Sequence, residues 1–411
     1  MKKIRLLFLF IFLGAVFVFA DTDLGEALLK SKAGSLEFRQ IVIDRDVQNK
    51  ALLQALPSIL PYVNYTLSAD STDMTNWSYN QSLGISQKLF DIPVFISLYK
   101  NKEYADIANA IYIKGVHNLT QSVIDQYFLL LEYQVRMDID TLLIRREEEN
   151  VKKGDVLQNS GFISETDFLI LNSNYFNVAY SYKVNQSAYD AALIDFTTLT
   201  GIENPGRLLD VNEIPVFGDL TFEEEDILKN IPEYVISAKT YSAAVADEVS
   251  SYSEFFPKAT FNMSYGLSDS LLDIDFSRFG SDASFRAGVS VTFPVFTGFS
   301  RTLNVIDKSY ARKSSNIDFL KTKQVLLLEL KNLGSRVSWT KDLYESAEKS
   351  FEASKKVFEK SQRLYSAGEV STADYITYQK NYLESAINLI KAKKEMYKLY
   401  YRYMYLLRRK P

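Results

Sequence analysis

The chain has 411 residues, with 47 Lys and Arg against 51 Asp and Glu, and its formal charge of −4 offers no basic surface for nucleic acid. It contains no cysteine, which excludes disulfides, thiolate metal sites and a lipid-modified N-terminal cysteine.

Residues 1–20 read as an export signal. Lys2, Lys3 and Arg5 form a charged start, and Leu6 to Phe19 is an apolar run of 14 residues. Small residues at Val18 and Ala20 set cleavage before Asp21. Fourteen residues are too few for a helical membrane span, and no later apolar run is long enough for one. The protein is therefore expected beyond the inner membrane of a bacterium.

The rest of the chain is written twice. Pro57–Tyr65 returns at Pro257–Tyr265, Lys88–Phe90 at Pro294–Phe296, and Gly161-x-x-Ser164-x-x-Asp167 at Gly368-x-x-Ser371-x-x-Asp374. The offsets are 200, 206 and 207 residues, so two structural repeats are expected. The first covers 21–204: a helix, a strand hairpin over 62–90, and a long helical pair turning at 159–166. A linker follows at 205–220. The second repeat covers 221–411, with a hairpin over 258–296 and a turn at 366–373. A Thr221-x-x-Glu224 capping box is expected to open its first helix.

Proline marks the long helices. None occurs in 94–204 or in 295–410, and proline breaks helix interiors. Val116, Leu119, Val123, Tyr127 and Leu130 keep near-heptad spacing, as do Leu326, Leu330, Leu333, Val337 and Tyr344. That spacing suits helices packed as antiparallel coiled coils. Helices over 95–158 and 300–366 would each be about 100 Å long at 1.5 Å per residue. Gly161 and Gly368 end them. Ser164 and Ser371, each followed three residues on by an aspartate, restart the chain as helix caps.

The strands alternate. Val63, Tyr65, Leu67 and Ala69 are apolar against Asn64, Thr66 and Ser68, and Leu83, Ile85 and Leu89 against Ser82, Gly84, Ser86 and Lys88. Gln81 and Gln87 break the rule. In the second repeat Phe285, Ala287, Val289, Val291, Phe293 and Val295 alternate with Ser284, Arg286, Gly288, Ser290 and Thr292. Period two over about ten residues fits a barrel strand, apolar to lipid and polar to a lumen. A soluble half-buried hairpin gives the same pattern. Four strands leave two open edges that lipid cannot satisfy. Three copies would supply twelve strands and enclose a lumen. The Asn64, Asn80 and Asn262 triplets of N-x-S/T type fit a hydrophilic lining, since residues i and i+2 share a face.

The turn Tyr365-Ser366-Ala367-Gly368-Glu369-Val370-Ser371-Thr372-Ala373-Asp374, with its sister at Gly161–Asp167, resembles the TolC family of trimeric outer-membrane export channels. Leu199-Thr200-Gly201 and the strand endings Leu89-Phe90 and Val295-Phe296 are also similar. The resemblance implies a mainly α fold with a membrane β-barrel. Long antiparallel coiled-coil helices form an α-barrel, four strands per chain contribute to a twelve-stranded trimeric barrel, and 201–230 falls in a mixed equatorial region. It implies a homotrimer in the outer membrane with a long periplasmic extension, contacting lipid, a periplasmic adaptor and an inner-membrane pump. The function implied is a passive exit duct of a tripartite efflux or type I secretion system. A soluble periplasmic coiled-coil scaffold is the alternative.

By motif position, Tyr365 and Asp167 would form a tip-closing link. The family's arginine position is Val370 here. The periplasmic constriction would lie at Asp374 and Thr377, with only the first acidic. The basic end, Arg408 to Lys410, reads as a solvated helix terminus. The tyrosines at 397, 400, 401, 403 and 405 read as packing surface. No catalytic constellation and no cofactor site is read. His117 is the only histidine and has no partner for a metal. Glu147 with Glu149, and Glu223 with Asp226, read as helix-surface charge. The protein is not expected to be an enzyme.

Overall fold

A computed structural model describes residues 21–50, 53, 56–71, 77–211, 213–218, 223–269 and 284–407. The export signal at 1–20, most of both hairpin links, Thr221 and the basic end at 408–410 lie outside the described residues.

Two short helices come first, α1 (Leu24–Gly34) and α2 (Leu36–Asn49), followed by strands β1 (Tyr62–Ser71) and β2 (Trp77–Phe90). A 68-residue helix, α3 (Ile92–Asn159), and its return, α4 (Glu165–Thr200), complete the first half. The second half has α5 (Glu224–Leu228), α6 (Pro232–Ser253), β3 (Lys258–Asp269), β4 (Ser284–Thr292), the 67-residue α7 (Ser300–Ser366) and α8 (Thr372–Leu406). Helix α3 begins three residues before the expected Phe95. Pro93 falls in its first turn, where a missing N–H costs no helical bond. Strand β4 stops at Thr292, short of the expected 296, because Pro294 has no N–H for a ladder.

The described residues form two compact units, one drawn from 21–38, 119–216 and 339–400, the other from 39–118, 217–338 and 401–407. Each draws on both sequence repeats.

In the first unit the core gathers Leu28, Leu119, Val123, Phe128, Phe196 and Leu208, all buried. The Tyr127 hydroxyl donates to the carbonyls of Thr22 and Leu209, at 3.1 and 2.6 Å. It thereby fastens α3 to two segments that bridge each other at Thr22 and Leu208. Lys393 on α8 holds Asp210 through both carboxylate oxygens at 2.8 Å, and the Tyr397 hydroxyl donates to the Glu213 carbonyl at 2.5 Å. The irregular segment after α4 is thus tied to two long helices. Tyr397, read as packing surface, is a hydrogen-bonding anchor as well.

Glu147 corrects the reading of surface charge. It is 1 % exposed and accepts from the Gln379 amide at 2.9 Å and from Asn150 at 3.3 Å. A carboxylate at a helix–helix seam needs such donors, because a buried charge without them is costly. The expected cap of α5 also changes. Its N-cap residue is Glu223, which makes no side-chain cap bond.

In the second unit one antiparallel sheet runs β1-β2-β3-β4. The central pairing joins the two hairpins, with Ile85 opposite Met263 and Leu83 opposite Tyr265. In the same unit, Arg402 on α8 grips Glu329 on α7 at 2.8 and 2.7 Å and reaches Glu233 on α6 at 3.3 Å. The Tyr405 hydroxyl donates to Glu233 at 2.7 Å. The His117 ring lies flat on Tyr405, with centroids 4.1 Å apart.

Candidate functional site

Two places carry the residues singled out in the sequence: the helical turns in the first unit and the sheet in the second.

The two turns have the same construction. At the first, the Phe162 N–H donates to the Leu157 carbonyl at 2.8 Å and the Gly161 N–H to Gln158 at 2.9 Å. At the second, Glu369 donates to Leu364 at 2.9 Å and Gly368 to Tyr365 at 3.1 Å. This pair of bonds closes a helix end when the residue past it turns left-handed. Gly161 and Gly368 do so, with φ of 75° and 77°. A Cβ there would meet no atom within 4 Å, so the requirement is one of backbone conformation alone.

Each restart is capped in turn. Ser164 Oγ accepts from the Asp167 N–H at 3.1 Å and donates to its carboxylate at 2.7 Å. Ser371 Oγ does the same with Asp374, at 3.1 and 2.7 Å. Both aspartates are therefore helix-capping groups and both are exposed. Thr377 lies three residues beyond Asp374 on the same exposed face, its hydroxyl donating to the Ala373 carbonyl at 2.9 Å.

Tyr365 and Asp167 line one cleft of about 470 Å³, together with Arg146, Lys153 and Tyr375. Val370 packs against the buried cluster that holds Ile139, Phe358 and Tyr375. The position read in the sequence as departing from an arginine thus makes an apolar contact.

Sequence reading missed an aromatic ladder that leads to this cleft. Phe351, Phe358 and Tyr365 on α7 interleave with Tyr382 and Tyr375 on α8. Tyr382 stacks on Phe351 and Phe358 at 5.9 and 5.1 Å, and Tyr375 on Phe358 and Tyr365 at 6.2 and 4.5 Å. The Tyr365 and Tyr375 rings are only 4° from parallel. The signal was present as steps of seven on both helices. Stacked rings of this kind fix side-chain position beyond what area burial supplies.

On the sheet, pairing register sorts the residues into two faces. Rows such as Val63–Ile85–Met263–Ala287 and Tyr65–Leu83–Tyr265–Phe285 make one apolar face. It is open: Val63, Phe285 and Val289 are 56 %, 63 % and 58 % exposed. Rows such as Asn64–Gly84–Ser264–Arg286 make the other face polar. Its side chains bond one another: Asn64 to Thr66 at 2.9 Å, Ser86 to Asn262 at 3.0 Å, and Asn262 to Ser290 at 3.2 Å. The two exceptions to alternation are satisfied locally. Gln81, buried on the apolar face, accepts from the Tyr65 hydroxyl at 3.0 Å, and Gln87 donates to the Ile59 carbonyl at 3.5 Å.

Among the described residues, no helix is long and apolar enough to cross a membrane. No group of His, Cys, Asp and Glu among them could hold a metal ion.

The sequence matches no protein-family model and no curated protein. Solved structures do match. The Campylobacter jejuni CmeC outer membrane channel aligns over 93 % of this chain and 85 % of its own, with a TM-score of 0.79 at 15 % identity. The outer-membrane channel OprN aligns over 93 % and 89 %, with a TM-score of 0.74 at 17 % identity. The outer membrane protein VceC from Vibrio cholerae aligns over 93 % and 95 %, with a TM-score of 0.73 at 13 % identity. The chain has the fold of these channels.

Proposed function

We propose that this chain, built on the outer-membrane channel fold, is one protomer of a homotrimeric passive exit duct. The duct crosses the periplasm and the outer membrane and serves a tripartite efflux or type I secretion system, with a periplasmic adaptor and an inner-membrane pump as partners. The observation that carries this reading is the sheet: one polar face, one exposed apolar face, and two open edges at β1 and β4. Lipid tolerates the apolar face and cannot satisfy the edges. Joining β1 of one copy to β4 of the next removes the edges and turns the polar faces inward. The neighbours cited above are described as outer membrane channels or an outer membrane protein, which agrees with this reading.

The helices support the same assembly. On α7, Leu303, Ile306, Tyr310, Ile317 and Leu320 are exposed at steps of three, four and seven residues. Phe176, Tyr180 and Val184 on α4 are exposed in a row as well. Exposed apolar stripes of this kind mark protein interfaces.

Within this reading the helical turns form the periplasmic tip. Tyr365 and Asp167 serve as its closing contacts and Asp374 with Thr377 as its constriction. Arg146 lines the cleft with the first two, so α3 supplies a cation where Val370 does not. Three Asp374 carboxylates at a narrow point favour cations.

Reconstitution into planar bilayers tests the assignment. The protein should conduct, and Tyr365→Phe should raise resting conductance by removing one hydroxyl per subunit. A hydrogen bond to a charged acceptor contributes about 1.5–3 kcal/mol, and three act together. Asp374→Asn should weaken cation preference and leave closure intact. A fully water-soluble protein that never conducts would favour the periplasmic scaffold. Unchanged conductance in Tyr365→Phe with unchanged selectivity in Asp374→Asn would leave the turns as helix caps only.

A further inference from the structure

Among the described residues, the charges on the polar face of the sheet gather at its two ends, with a single one between them. At one end, Lys88 and Lys258 both face Asp91, at 3.6 and 3.5 Å. Towards the other end, Asp70 accepts from Asn80 at 3.2 Å and Ser68 at 3.3 Å. Between these ends lies Arg286 on β4, and no hydrogen bond or ion pair engages it among the described residues. Its row continues through Ser264, Gly84 and Asn64.

Within one chain the spacing isolates this charge. Lys88 is four residues along β2 from Gly84, and Asp70 is six along β1 from Asn64. At about 3.3 Å per residue those are separations of about 13 and about 20 Å. Both exceed the screening length of about 10 Å at 0.1 M salt. The surroundings are small. Gly84, Ser264 and Gly288 line, together with Arg286, a cleft of about 450 Å³, whose lining also includes Asn64, Asn262 and Ser290. The Asn64 and Asn262 amides each spend one N–H on a neighbour and keep a second that can donate to an anion, and the guanidinium presents donors in a planar fork suited to oxyanions.

We propose that Arg286 is a specificity-determining residue: a mid-barrel station that favours anions, carboxylates, phosphates and small inorganic anions alike. The proposal rests on the duct reading, in which three copies place three such guanidiniums around one lumen. It gives the exit path a preference opposite in sign to that of Asp374 at the tip.

The test is the reversal potential of the assembled protein in planar bilayers under a potassium chloride gradient. Dilute salt suits it, since at about 10 mM the screening length grows to about 30 Å. Arg286→Gln should move the reversal potential towards the potassium equilibrium value, and Arg286→Lys should keep it near that of the unmodified protein. Raising the salt on both sides should shrink the difference. Identical potentials for the unmodified protein and Arg286→Gln, both conducting, would overturn the proposal and leave the duct reading standing. An assembled protein that does not conduct would overturn the duct reading and the proposal with it.

Discussion

His117 shows how a single residue's environment sets a property of the whole protein. Burial, and next the positive charge of Arg402, lower its pKa from 6.5 to about 4. Glu233 and Glu329 act in the opposite sense and do not offset this. At neutral pH the ring is uncharged and lies on Tyr405. The unfolded chain takes up a proton near pH 6.5, while the folded chain resists until about pH 4. The unfolded state therefore binds more protons in this window, and stability falls as pH drops through it. The full shift corresponds to about 3 kcal/mol, which partial solvent access to the ring reduces to about 2 kcal/mol. Glu233 titrates lower. Burial would raise its pKa, but bonds from Tyr405 and Arg402 bring it below the ordinary 4.5, so its loss follows at more acid pH. His117→Phe keeps a ring on Tyr405 and removes the proton site. In thermal melts its loss of stability from pH 7 to pH 5 should be clearly smaller than that of the unmodified protein. Equal losses would mean that other groups set the acid response. Nothing in the sequence pointed to this cluster. Arg402 meets partners 73 and 169 residues away, and His117 looked only like a histidine without metal partners.

At the scale of elements, period and punctuation were legible. Proline-free stretches marked the long helices, and glycine followed by Ser-x-x-Asp marked their turns, because left-handed backbone and helix caps demand those residue types. Strand alternation gave the two faces of the sheet. Packing was less legible. The ladder from Phe351 to Tyr365 needs the registration of two helices, which a single strand of sequence does not carry. The same holds for Glu147, whose partner Gln379 is 232 residues away. Gln81 broke the alternation because its partner Tyr65 sits on the neighbouring strand. The facing of the sheet can be checked directly. Leu83→Arg and Val291→Arg put a charge on the apolar face, at a cost of about 2–4 kcal/mol at the midplane of a bilayer. Ser290→Arg puts it on the polar face. Assembly in membranes should suffer in the first two and hold in the third. Equal damage from all three would refute the assignment of faces.

At the scale of the molecule, the chain leaves exposed what a soluble monomer would cover. Among the described residues both edges of the sheet are open, one of its faces is apolar and exposed, and α7 carries an apolar stripe. Each feature calls for a partner, and in the proposed duct copies of the same chain would supply all of them at once. The cargo was not legible at any scale, because a face of amides and hydroxyls with one central arginine would sort solutes by charge and not by identity. The central claim is that these chains close a barrel by joining in threes. Native mass measurement of the protein extracted from membranes in detergent tests this most directly. The account predicts a folded particle of three chains that needs detergent to stay in solution. A stable folded monomer, soluble without detergent, would contradict it.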